Sequence, residues 1–151
     1  MKPFKISNSQ FLRKKQYLYR NPGSFPAIVF AMLLGTYLDL YFTGIGMYSF
    51  PIRPFADVFD IHIVFNLAGI PVFIWIFLWV GSRISKAGWG FLIIFFSLAG
   101  PVLEIFSESK GLFVHSKEWK HWYSFLGYFL FLLSVWAIFT WTNGRKSWQD
   151  V

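Results

Sequence analysis

The sequence predicts an all-α integral membrane protein, a bundle of four transmembrane helices, and three observations carry that prediction. Hydrophobic residues make up 56% of the 151 residues and charged ones only 14%, where soluble domains carry about 25% charged residues. With a mean hydropathy of +0.49, a soluble fold of this length has too little interior to hide its apolar side chains. Four stretches lack Asp, Glu, Lys and Arg for long enough to cross a bilayer as helix. Each is too uniformly apolar for the alternating pattern of a barrel strand. A span must satisfy its own backbone hydrogen bonds, so helices follow.

The expected spans run over about residues 26–44, 61–81, 88–106 and 121–142. They form one transmembrane domain over 25–144, between a basic arm (1–24) and a short tail (145–151). The first opens at Ser24-Phe25-Pro26, with Ser24 as the expected cap and Pro26 in the first turn. No small-residue cleavage pattern follows a short apolar core, so this span reads as a retained anchor. Pro71 should kink the second span. Gly81 and Gly88 bracket a tight turn into the third, which meets Pro101 near its end. Trp89, Trp119, Trp122, Tyr123, Trp141 and Trp148 stand at span ends, where amphipathic rings prefer to be. The arm mixes aromatic and basic residues and reads as an amphipathic segment on the membrane surface.

Charge sets the expected orientation. Ten Lys and Arg fall on the side of the two termini and the 82–87 turn, and four (Arg53, Lys110, Lys117, Lys120) on the other. The richer side is expected to be cytoplasmic, which puts both termini inside. The net charge of +7 then points to anionic lipid at the inner surface and not to nucleic acid, because the basic residues flank apolar runs. Six of the seven acids and all three histidines fall on or toward the opposite, outer side. Cysteine is absent, which excludes disulfides, thiolate zinc sites and iron–sulfur clusters.

That outer cluster holds the candidate site residues Asp39, Arg53, His62, Glu104, Glu108 and His121. Asp39 lies 13 residues beyond Pro26, roughly 20 Å along a helix rising 1.5 Å per residue. A carboxylate at membrane depth calls for a partner or water. Arg53, in the stiff segment Phe50-Pro51-Ile52-Arg53-Pro54-Phe55, is the expected partner, its guanidinium able to meet Asp39, Asp57, Asp60 or Glu104. Glu104 and Glu108 are spaced i, i+4 and share a helix face with Ser97 if the third helix continues past Pro101. His62, Asn66 and Gly69 share a face on the second span, as do His121, Ser124 and Tyr128 on the fourth. Asn66 and Ser124 read first as hydrogen-bonding contacts between helices. Glu118 and His121 make a single Glu-x-x-His step, half of what a helical di-metal site uses. Glu104, Glu108, Glu118, His62 and His121 are therefore the candidate ligands for a divalent metal, with no residue assigned a catalytic role.

Several blocks carry a resemblance. Tyr37-Leu38-Asp39-Leu40-Tyr41-Phe42, Gly46 through Phe55, Gly111-Leu112-Phe113-Val114-His115 and Trp119 through Phe125 resemble an uncharacterised family of small multi-pass membrane proteins of Gram-positive, often endospore-forming bacteria. The resemblance implies a bacterial plasma membrane and adds no role to any residue. No phosphate loop, nucleophile elbow or His-Glu-x-x-His motif is present. The leading expectation is non-enzymatic: a membrane protein that binds or senses something, or supports a partner complex or homo-oligomer. The alternative is a transporter, or a metal- or proton-handling protein, working through the outer cluster.

Overall fold

The computed structural model describes residues 23–147. They form helices α1 (Ser24–Gly44), α2 (Ile70–Gly81), α3 (Lys86–Ser109) and α4 (His121–Ser147), with two-residue strands β1 (Tyr48–Ser49) and β2 (Val114–His115) in the loops. A π-helical turn over Phe65–Gly69 leads directly into α2. The basic arm and the last residues of the tail, including Trp148, lie outside the described residues. α1, α3 and α4 are each long and apolar enough to cross a membrane, and Phe65–Gly81 is a shorter apolar helix. Their outward faces are apolar too: Leu33, Phe91, Phe95, Val102 and Leu130 are all more than half exposed. A helix apolar all round belongs in lipid or in a large core.

The helices run up and down. The terminal end of the bundle gathers the start of α1, the α2–α3 turn and the end of α4; the hairpin end gathers the 45–64 and 110–120 loops. α1 begins one residue earlier than its sequence suggests. Gly23 occupies the cap, with no side-chain cap, and Ser24 is already helical. The reason is tertiary: the Gly23 N–H donates to Asn143 Oδ1 at 3.2 Å, and Thr142 Oγ1 donates to the Gly23 carbonyl. A Cβ on Gly23 would sit 2.7 Å from the Asn143 and Thr142 side chains, so only glycine lets α1 and α4 close there.

Pro71 does disturb its helix, through the π turn just before it. Proline cannot donate to the ladder, and the wider turn absorbs that loss. It also turns Asn66 fully inward. α3 passes through Pro101 and continues to Ser109, keeping Ser97, Glu104 and Glu108 on one side. At the terminal end Ala27, Ala31, Ile74, Phe77, Leu78, Leu92, Ile93, Leu132, Val135 and Phe139 form a dry core drawn from all four helices. Trp89 packs on Phe77 and Trp136 and donates from Nε1 to the Gly81 carbonyl, closing the α2–α3 turn.

At the hairpin end the loops are joined. β1 and β2 pair antiparallel, Tyr48 opposite His115 and Ser49 opposite Val114, and the Ser116 N–H donates to the Met47 carbonyl.

Candidate functional site

Above the dry core the helices part around a cavity of about 570 Å³. That volume lies in the range of small-molecule sites, about 300–1,000 Å³. Its roof is an aromatic cluster in which Tyr48 meets Phe42, Phe50, Phe113 and Trp119 at ring separations of 5.2–5.9 Å. Its walls add Phe65, Phe73, Tyr123 and Phe131. Into this apolar chamber project Asp39 from α1 and Glu104 from α3, with Tyr128 of α4 near both. Glycine makes room for that phenol: a Cβ on Gly100 would fall 2.1 Å from the Tyr128 ring.

Each carboxylate has a neutral donor. The Tyr48 hydroxyl donates to Asp39 Oδ1 at 2.6 Å. Burial pushes the Tyr48 phenol well above its ordinary value, and the Asp39 charge adds to the shift. It therefore stays protonated and remains a donor. Ser124 Oγ donates to Glu104 Oε2 at 2.5 Å while accepting from Trp119 Nε1 at 3.0 Å. Ser124 is thus the interhelical contact its face suggests. Asn66 is fully buried beside Asp39, but its amide completes no hydrogen bond.

Arg53 does not partner Asp39. Its guanidinium is wrapped by its own loop, donating to the carbonyls of Phe50, Ala56 and Phe59 and to Asp60 Oδ1 at 3.3 Å. A planar fork with five donors fits a ring of carbonyls, and this one holds a turn in which Phe55 adopts φ +58°. Among the described residues lining the cavity there is no Lys or Arg. His62 lines it too, and its Nδ1 accepts from the Phe65 N–H at 3.1 Å, so the ring caps the turn that leads into α2.

The metal candidates divide. Glu108 and His121 come together, with His121 Nε2 3.7 Å from Glu108 Oε2. Glu104 lies behind them, 3.6 Å from His121 Nδ1. Glu118 and His62 stand apart from that group and line the cavity instead. Sequence reasoning left out His115, which sits 3.0 Å from Glu108 Oε1, and Tyr48, the actual partner of Asp39. Both lie on the strand pair, too short for an alternating pattern to reveal. Trp119 and Trp89 prove to be packed interior donors, whereas Trp122 and Trp141 are over half exposed at helix ends, as interfacial rings should be.

Fold and site together define a helical membrane-type protein with a partly open, acid-bearing aromatic chamber at one end. No family model, curated protein or solved structure matches the chain.

Proposed function

We propose that this is a four-span protein of the bacterial plasma membrane, with both termini cytoplasmic, that binds an amphiphilic organic cation in its outer chamber. The observation that carries the reading is a lining that sets the half-buried carboxylates Asp39 and Glu104, with the more exposed Glu118, among aromatic walls with no Lys or Arg. A carboxylate in an apolar wall is costly unless a positive charge or a proton meets it. Aromatic faces attract cations, most strongly when water is excluded. A molecule with apolar arms around a positive centre satisfies both. The fourth span is Phe65–Gly81, about 25 Å of helix at 1.5 Å per residue, within the lower limit for crossing. The ten-to-four split of Lys and Arg supports the orientation, and the basic inner side suits anionic lipid.

Tetraphenylphosphonium and tetraphenylborate share a shape and differ in sign, so they test the reading on the purified full-length chain. The cation should bind and raise the melting temperature, and the anion should not. Equal binding of both would reduce the chamber to a greasy hollow. For orientation, Lys117→Cys should label from outside intact cells and Ser82→Cys only after lysis, with no native cysteine to confuse the readout. The reverse pattern would invert the protein.

A further inference from the structure

Beside the chamber, outside its lining, Glu108, His115 and His121 each offer one ligand atom, and these atoms lie within 4.8 Å of one another. They come from three elements: the end of α3, strand β2 and the start of α4. We propose that these three side chains form a binding site for one divalent first-row transition-metal ion, such as zinc. Two imidazoles and one carboxylate make a donor set that suits such ions and leaves positions open for water or another ligand.

The ring orientations are the second, independent observation. A histidine that binds metal through one nitrogen almost always donates its other N–H to a carbonyl or a carboxylate. His115 places Nδ1 2.7 Å from the Ser116 carbonyl, so Nδ1 carries the proton and the Nε2 lone pair faces Glu108. His121 places Nδ1 3.6 Å from Glu104 Oε2, with no hydrogen bond yet completed, and turns Nε2 toward the same Glu108. His115 is thus backed by an acceptor at Nδ1, His121 has Glu104 beside its Nδ1, and both rings converge through Nε2 on the two oxygens of one carboxylate. The separations of 3.0 and 3.7 Å between those nitrogens and oxygens bracket the roughly 3.3 Å edge of a tetrahedron with bonds of about 2.0 Å. The two rings stand edge to face at 5.2 Å, so neither blocks the other's lone pair.

The test uses the purified full-length chain in detergent, stripped of metal, with zinc as the probe. One zinc per chain should survive desalting and raise the melting temperature. Competition against a chelating dye should show affinity falling about tenfold or more in Glu108→Gln and in His115→Ala, as loss of a ligand demands, with the exposed outer acid Asp57→Asn unchanged. Absence of stoichiometric zinc, or equal affinity in Glu108→Gln and His115→Ala, would overturn the site. Should those variants fold poorly, wild-type protein decides: zinc should protect His115 and His121, and not His62, from diethylpyrocarbonate. Protection of all three or of none would overturn it. Because none of the three ligands lines the chamber, zinc binding with no phosphonium binding, or the reverse, separates this site from the chamber reading.

Discussion

At the terminal end, α1 brings Ala27 and Ala31 against Ile74, Phe77, Leu132 and Val135, and nothing polar interrupts the packing. At the hairpin end the same four helices separate around Asp39, Glu104 and Tyr128, beneath a roof made by two loops. Small residues let helices approach closely and dispersion holds them; large rings and carboxylates keep them apart. The first arrangement stabilises the bundle. The second sacrifices packing for a space, which is the usual relation between a binding site and its scaffold.

Substitutions should separate the two regions by sign as well as size. Phe77→Ala opens the dry core and should lower stability by about 3–5 kcal/mol, while phosphonium affinity in the surviving folded fraction stays within twofold or so of wild type, by the additivity of distant sites. Thermal unfolding and binding measured on one preparation check it. Gly100→Ala should come next. Its methyl must displace the Tyr128 ring, costing about 1–3 kcal/mol as overpacking does and shrinking the chamber, so here stability and binding fall together. Asp39→Asn and Glu104→Gln should break that link. The near-isosteric amide relieves the desolvation cost of a carboxylate in an apolar wall, so melting should hold or rise while phosphonium affinity drops about tenfold, the worth of roughly 1.4 kcal/mol of lost attraction. A parallel loss of stability would mean that these acids are structural.

Arg53→Lys should have a smaller and purely local effect. A lysine ammonium cannot reach three carbonyls in one plane, so amide exchange should quicken over residues 50–60 without moving the global transition. The least effect concerns pH. The folded value of Tyr48 is raised by burial and by Asp39, so its contribution is complete below the ordinary tyrosine value of about 10. It is lost as pH rises above that, where the unfolded chain ionises first. The melting difference between wild type and Tyr48→Phe should therefore be constant through neutral pH and shrink only under alkaline conditions.

Much of the architecture was legible in the sequence because lipid-facing helices leave a strong signal: long uncharged runs with basic and aromatic ends. The helix faces were legible as well. The i, i+4 step from Glu104 to Glu108 and the His121–Ser124–Tyr128 face lie where periodicity puts them. What escaped was set by loops. Asp39 and Arg53 looked like partners because one lies at membrane depth and the other is the single cation of its loop, yet Arg53 meets Asp60, another of the acids open to it, and carbonyls of its own turn, and backbone acceptors leave no trace in composition. His115 was visible as a residue and invisible as a neighbour, because its position depends on a ladder of two rungs.

That ladder joins Tyr48 to His115 and Ser49 to Val114, residues 67 and 65 apart in the chain, and the clasp of Gly23 on Asn143 joins residues 120 apart. Neither can form while only the first helices exist. During synthesis, α1 and α2 can meet early, but the start of α1 has no acceptor until the end of α4 arrives. The chamber has no roof until the loop after α3 has emerged to pair with the loop after α1. Contacts of such long sequence separation form late, and a chain made from its N-terminus meets them later still. The terminal end is therefore finished last, because its clasp and the α4 share of its dry core both follow the roof in the chain. A chain stalled short of α4 would keep Tyr48 on Asp39 but leave Glu104 without Ser124 and without the Tyr128 phenol beside it.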